Sequence, residues 1–141
     1  MISQLTVFLA NEKGRLAAAC QVLADADINM QALFVADTAD FGIVRIFCDT
    51  PERAASVLAD GGFRATITPV IAVSVADEPG TLARLLGFCH ESSMNIEYGY
   101  CFSTSGGRAI DVLKIEGDGA EEALADAGFT ILSPEEVYVV D

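Results

Sequence analysis

The strongest constraint on the fold of this 141-residue chain is an internal repeat, in which residue n aligns with residue n + 66 without a gap. The matched pairs include Val7 and Val73, Glu12 and Glu78, Gly14 and Gly80, Asn29 and Asn95, Leu58 and Leu124, and Phe63 and Phe129. Such self-similarity indicates two copies of one small structural unit. We therefore expect two domains, at residues 1–68 and 69–141, and a site proposed in one copy can be compared with the other.

Each copy has the same order of predicted elements. An alternating apolar segment predicts a half-buried strand, and the amphipathic segment after it predicts a helix. Two β-rich segments around the turn at residues 37–40 predict a hairpin, which a second helix and a last strand follow. The order β-α-β-β-α-β is typical of the split βαβ sandwich. We expect an α+β fold of two such ferredoxin-like βαββαβ sandwiches in tandem.

The end of the chain fits the repeat a third time. Leu5, Ile71 and Val137 occupy one position of the repeat, so the opening strand recurs without a unit after it. We therefore expect an extra C-terminal strand at 136–140, added to a sheet of this chain or of a partner. An additional strand of this kind also favours a homodimer with two-fold symmetry.

Composition excludes several classes of partner. The net charge of −13 repels phosphate backbones, so we expect neither nucleic acid nor a membrane as a partner. The longest apolar run, Val70–Ala76, is far shorter than the roughly 20 residues of a transmembrane helix. We interpret the cysteines, which lack the paired spacings of a zinc site or a disulfide framework, as buried thiols of a cytoplasmic protein. They are Cys20, Cys48, Cys89 and Cys101.

The sequence contains no catalytic constellation. His90 is the only histidine, and its counterpart in the first copy is Ala24. The nucleophile-elbow, P-loop and zinc-protease motifs are absent. We expect no catalytic residues, no metal and no cofactor. An enzyme that uses a reactive cysteine stays open as an alternative, and it would require a lowered thiol pKa.

Two loops and two asparagines are the candidate functional elements. The loops 11–14 (Asn-Glu-Lys-Gly) and 77–80 (Asp-Glu-Pro-Gly) join a strand to a helix. Their first residue could cap the helix. Their glycine leaves backbone N–H groups open to a small anion such as a carboxylate. Asn29 and Asn95 begin the next strand, which lies beside the loop in this topology.

These residues resemble the ACT domain, a small-molecule-binding regulatory module of amino-acid metabolism. Residues 77–82 resemble its D-x-P-G-x-L loop, and residues 94–96 resemble its I-N-I strand start. The first copy carries Lys13 in place of the proline. Residues 95–100 further resemble free-standing tandem ACT proteins.

The resemblance implies an amino acid bound at an interface between two ACT units. Loop amides would bind its carboxylate, while the polar loop residue and the strand asparagine would bind its ammonium. One implied site comprises Asp77, Gly80, Thr81, Leu82, Asn95 and Ile96, and the other comprises Asn11, Gly14, Arg15, Leu16, Asn29 and Met30. We expect the first of these sites to be the better binder, because it carries a carboxylate where the other carries an amide.

The resemblance therefore implies a non-catalytic regulatory protein that acts through a regulated enzyme partner. A structural or interaction module that has kept the fold and lost its ligand is the alternative. Tyr98 and Tyr100 alternate along a predicted strand. They either pack against neighbouring elements or shape the pocket for the ligand side chain.

Overall fold

The computed structural model describes residues 1–10, 12–36 and 41–141. Strands and helices follow the predicted order, while the expected hairpin turn at 37–40 lies outside the described residues. The elements are β1 (Ile2–Ala10), α1 (Arg15–Asp25), β2 (Met30–Ala36), β3 (Phe41–Cys48), α2 (Pro51–Asp60), β4 (Arg64–Ala76), α3 (Thr81–Glu91), β5 (Ile96–Ser103), β6 (Arg108–Ile115), α4 (Ala120–Asp126), β7 (Thr130–Ile131) and α5 (Pro134–Val137).

The chain divides into two units. The first unit comprises Ser3–Thr68 and Val137–Asp141, and the second comprises Met1–Ile2 and Pro69–Glu136. The strand order is β2-β3-β1-β4 in the first unit and β5-β6-β4-β7 in the second, so β4 supplies a strand to each. This order is that of the split βαβ sandwich, and the α+β class with two tandem βαββαβ repeats is confirmed. The expected domains are 1–68 and 69–141. In the structure, residues 1–2 belong to the second unit and residues 137–141 belong to the first.

Each unit has its own core between its helices and one face of its sheet. Equivalent repeat positions fill the two cores. In the first unit they are Leu5, Val7, Ala19, Leu23, Ala54 and Leu58, and in the second they are Ile71, Val73, Leu85, Cys89, Ala120 and Leu124. Burial of one large apolar side chain contributes about 1.5–3 kcal/mol. The repeated apolar pattern is therefore what determines the repeated fold.

The repeat contains one offset that a gapless alignment conceals. Leu5 lies opposite Ile46 in the first unit, whereas Ile71 lies opposite Leu113 in the second. Ile71 follows Leu5 by 66 residues, but Leu113 follows Ile46 by 67. Between equivalent paired positions the second hairpin thus has one residue more than the first, with nine residues between Cys101 and Asp111 and eight between Val35 and Val44. Residues of β6 correspond to residues of β3 at a spacing of 67, and the gapless alignment is wrong for this strand.

The C-terminal segment is an additional element, but it differs from the strand predicted at 136–140. Pro134–Val137 form a short helix, and residues 138–141 belong to no strand. Tyr138 is buried, with its ring 5.7 Å from the ring of Phe47 in an edge-on arrangement. Its hydroxyl accepts the backbone N–H of Ser3 at 2.9 Å. Tyr138 therefore docks through its side chain, whereas Val139 and Val140 are exposed and pair with no strand.

The last residue of the chain caps α2. This helix begins after Thr50, whose side chain makes no capping hydrogen bond. The Asp141 carboxylate instead accepts the backbone N–H groups of Glu52 and Arg53. The Thr50 N–H donates to the Val139 carbonyl at 2.7 Å. The segment thereby satisfies the first donors of a helix that are otherwise without a partner inside the helix.

Substitution of this distant cap is expected to weaken the first unit. Asp141→Ala should lower the free energy of unfolding by about 1 kcal/mol, as loss of a helix N-cap does. Removal of residues 137–141 should lower it further, because Tyr138 is also lost. Urea denaturation followed by circular dichroism measures both. Glu135→Ala, which removes an exposed carboxylate from α5, is the control, and equal stability of all four proteins would contradict the capping role.

Candidate functional site

The two glycine turns have the predicted open geometry. Gly14 and Gly80 precede α1 and α3 with φ angles of +87° and +90°, which side-chain-bearing residues rarely adopt. Among the described residues, no side chain makes a capping hydrogen bond to either helix. A Cβ atom added at either glycine would meet nothing within 4 Å. The Arg15 and Thr81 N–H groups donate to the Glu12 and Glu78 carbonyls at 3.3 and 3.4 Å, so the N–H groups that follow them in each helix are the candidates for binding a small anion.

The polar residues of the second loop make contacts that fix the loop. The Asp77 carboxylate accepts the Ser103 hydroxyl at 3.3 Å rather than capping α3, so the capping interpretation of Asp77 is wrong. The Thr81 hydroxyl donates to the Ala76 carbonyl at 2.7 Å. The Asn95 amide donates to the Glu116 carboxylate at 2.8 Å, which leaves the amide oxygen as an acceptor.

A cleft of about 400 Å³ lies between α3 and the strands β5 and β6 of the second unit. It is lined by Leu82, Leu86, Ile96, Gly99, Tyr100, Cys101, Asp111 and Leu113. Leu82 and Ile96 belong to the predicted site, whereas Asp77, Gly80, Thr81 and Asn95 do not line the cleft. Its volume lies within the range of about 300–1,000 Å³ that is typical of small-molecule sites.

Gly99 lines this cleft and lets the Leu113 side chain pack close to the backbone of β5. A Cβ atom at this position would come within 2.9 Å of Leu113 Cδ2 and 3.3 Å of the Val112 carbonyl oxygen. Any side chain here would displace the Leu113 side chain or enter the cleft. The corresponding residue of the first unit is Leu33, which pairs with Ile46 as Gly99 pairs with Leu113.

Two carboxylates act on the polar part of the cleft: Asp111, which lines it, and Asp77, which lies outside its lining but affects the Cys101 thiol. Asp111 is only 3% exposed, and burial raises the pKa of its carboxyl group, while a hydrogen bond from Cys101 lowers it in part. Burial also raises the pKa of the Cys101 thiol, with further contributions from the charges of Asp111 and Asp77. This part of the cleft is therefore electronegative and favours a cation.

The predicted residues of the first copy are engaged in packing. The Arg15 guanidinium lies 4.4 Å from the centre of the Phe63 ring. Leu16 and Met30 pack against the core of the first unit. The Asn29 carbonyl accepts the Asp49 N–H at 3.1 Å. Asn11 lies outside the described residues.

The cysteines do not match the requirement for a reactive thiol. All four are free, and Cys101 is exposed rather than buried as expected. Burial, with the nearby Asp49 and Asp141 carboxylates, raises the pKa of Cys48 to about 12. Burial likewise raises the pKa of Cys89. A nucleophilic thiol requires the opposite shift.

Within the described ranges 1–10, 12–36 and 41–141, no group of three His, Cys, Asp or Glu side chains could hold a metal ion. Over the same part of the chain, no helix is long and apolar enough to cross a membrane.

Sequence reasoning missed Gly99, Cys101 and Asp111. In the gapless alignment, Asp111 corresponds to Arg45 of the first copy, and a change of charge between the copies indicates an exposed position. With the observed spacing of 67 residues, Asp111 instead corresponds to Val44, a core residue. The available signal was the extra residue of the second hairpin, which is visible only once strand register is known.

Comparison with known proteins identifies the family. The sequence model of the ACT domain pair matches residues 1–134. This chain belongs to the ACT domain pair family. An ACT domain pair is a regulatory module rather than a catalytic domain, and the predicted tandem ACT resemblance is thereby confirmed.

Several solved structures are similar to this ACT domain pair. Protein BT0572 from Bacteroides thetaiotaomicron is 36% identical, with a TM-score of 0.90 over 97% of this chain and 95% of that chain. The ligand-free regulatory subunit of aspartate kinase from Thermus thermophilus is 20% identical, with a TM-score of 0.63 over 89% and 92%. The corresponding subunit from Thermus flavus is 23% identical, with a TM-score of 0.59 over 87% and 88%. Comparison with curated proteins gave no match.

The buried carboxylate predicts a pH-dependent difference in stability. Because the folded state raises the pKa of Asp111, its ionised form destabilises the fold at neutral pH, and this penalty disappears as the pH falls through the folded-state pKa. Asp111→Asn should therefore raise the free energy of unfolding at pH 7 by on the order of 1 kcal/mol. The gain should shrink towards pH 4.

Urea denaturation of both proteins between pH 7 and pH 4 measures this difference. Asp126→Asn, at an exposed carboxylate of α4, is the matched control and should change stability by less than about 0.5 kcal/mol at pH 7. A destabilised Asp111→Asn protein at pH 7, or a gain that does not vary with pH, would contradict the assigned environment.

Proposed function

We propose that this ACT domain pair is a non-catalytic regulatory protein of amino-acid metabolism that binds a small molecule, with an amino acid as the first candidate. The observation that supports this is the open Gly80 turn followed by Leu82, whose side chain lines a cleft of amino-acid size. The proposed site comprises the loop residues Asp77, Gly80, Thr81 and Leu82, the strand residues Asn95 and Ile96, and the cleft.

The two ends of an amino acid suit different parts of this site. Its carboxylate would accept backbone N–H groups at the start of α3, where the helix dipole favours negative charge. Its ammonium would donate to acceptors such as the Asn95 amide oxygen or the Asp77 carboxylate. An apolar side chain would contact Leu82, Leu86 and Leu113 in the cleft.

Ligand binding would regulate a partner enzyme by shifting a conformational or association equilibrium. A ligand shifts such an equilibrium only as far as its affinity differs between the two states. The ACT resemblance implies a site at an interface between ACT units. In this proposal the interface is that of a homodimer, in which a second chain covers the cleft. Light scattering with and without ligand measures that association.

The central test is a screen of the twenty amino acids by thermal shift and calorimetry. A ligand at one hundred times its dissociation constant should stabilise the native state by about 2.7 kcal/mol. Gly80→Ala should abolish the response, because a Cβ at this φ strains the turn by about 1–3 kcal/mol and shifts the helix N–H groups. The matched control is Gly14→Ala, which has the same strain in the first copy and should retain the response.

The same screen separates the proposal from the alternative of a scaffold without a ligand. A scaffold would respond to no amino acid, and both glycine variants would lose stability to a similar extent. Equal loss of the ligand response in the two variants would show that the expected difference between the sites is wrong.

A further inference from the structure

Asp111 is a buried charge without a sufficient partner. It is 3% exposed on β6, and its Oδ2 atom has no hydrogen-bond partner among the residues that the structure describes. Burial of a carboxylate without compensation costs free energy, so buried carboxylates are normally paired with a cation or fully hydrogen-bonded. Its position therefore requires an explanation beyond packing.

The cleft itself does not supply the missing cation. None of the eight residues that line it is basic, and most are apolar. The basic residues of β6, Arg108 and Lys114, are each three positions from Asp111. Arg108 donates from Nε and Nη2 to the hydroxyl and the carbonyl of Ser74, and Lys114 Nζ lies 3.6 Å from Glu97 Oε2. Among the lining residues, Cys101 lies opposite Asp111 in the strand pair and shares a hydrogen bond with it.

The first unit shows that the fold has no need of this carboxylate. Its equivalent strand pair places Val35 opposite Val44, where the second unit places Cys101 opposite Asp111. The neighbouring pair is Leu33 and Ile46, where the second unit has Gly99 and Leu113. The same sheet therefore folds with apolar residues at every one of these positions. The second unit alone combines a buried acid with a glycine, against whose backbone the Leu113 side chain packs closely.

We propose that Asp111 binds the protonated amine of the ligand, and that this cleft selects small primary amines with a compact apolar body. An ammonium group has three donors and a full charge, which match the unpartnered Oδ2 atom. Charge pairing is stronger in a partly desolvated cleft than in water. This inference rests on the proposed function, and within the proposed site it replaces Asn95 and Asp77 by Asp111 as the acceptor of the ligand's ammonium.

The same arrangement defines which ligands are rejected. Asp77 and Asp111 repel a carboxylate placed near Cys101, so an amino-acid carboxylate must lie towards the start of α3. Acidic side chains would meet the apolar wall of Leu86 and Leu113 without a partner. Apolar amino acids and their amines are thus the ligand class that the cleft fits.

A pair of isosteric probes tests the role of the charge. We would titrate the ¹⁵N-labelled full-length protein at pH 7 with 3-methylbutylamine and, separately, with 3-methyl-1-butanol. The amine should shift the amide resonances of Gly99, Cys101 and Asp111 in a saturable way, and the alcohol should bind at least tenfold more weakly. Equal effects of the two probes, or no saturable shift with the amine, would overturn the proposal without any variant.

Substitution of the acid gives an independent readout. Asp111→Asn keeps the shape of the side chain and should weaken amine binding at least tenfold. Asp111→Val introduces the residue of the first unit and should do the same, which covers the case in which one variant fails to fold. Asp126→Asn carries the same charge change on α4 and should leave amine affinity unchanged. Unaltered affinity in a folded Asp111 variant would refute the assignment.

The outcomes distinguish this inference from the proposed function. If the amine binds through Asp111 and no amino acid binds, the cleft takes amines and the amino-acid proposal fails. If an amino acid binds with equal affinity to the parent protein and to Asp111→Asn, the proposed function stands and the assignment of its ammonium to Asp111 fails.

Discussion

Strand register is the constraint on which the second unit's cleft depends. Successive side chains of a strand point to opposite faces of the sheet, so a shift of one residue exchanges the two faces. The longer second hairpin produces such a shift in β6 relative to the repeat. Asp111 therefore faces the helices at the position where the first unit has Val44. Because of one added residue in the connection, Asp111 occupies the position that Val44 has in the core of the first unit.

The two units are alike at the positions that build the core and differ at the positions around the cleft. The positions that build the cores, such as Leu58 and Leu124, are apolar in both copies. The glycine turns before α1 and α3 are equally alike, because both require a positive φ. The copies diverge on the edge strands β2 and β5 and at the neighbouring residues of β3 and β6. Divergence is least costly there, since edge strands contribute less to the core than central strands do.

The C-terminal segment illustrates a different use of a repeated pattern. Its apolar residues match the opening strand, yet it forms a short helix and a docked tail. Proline at position 134 favours the start of a helix, and the first donors of α2 offer a partner for Asp141. Within the first unit, the Tyr138 side chain is buried and the Asp141 carboxylate caps α2.

The sequence by itself determined the repeat, the element order, the ACT resemblance and the open glycine turns, because each follows from local periodicity or from a backbone angle that only certain residues adopt. Leu82 and Ile96, which the ACT resemblance implies as ligand-binding residues, line the cleft. Only the tertiary structure decided that Asp111 and Gly99 join them, and that Asp141 caps a helix far away in the chain. Cross-strand register depends on the length of every connection, and long-range capping depends on where the chain end lies in space. Neither the strand register nor the position of the chain end can be predicted from the spacing of nearby residues.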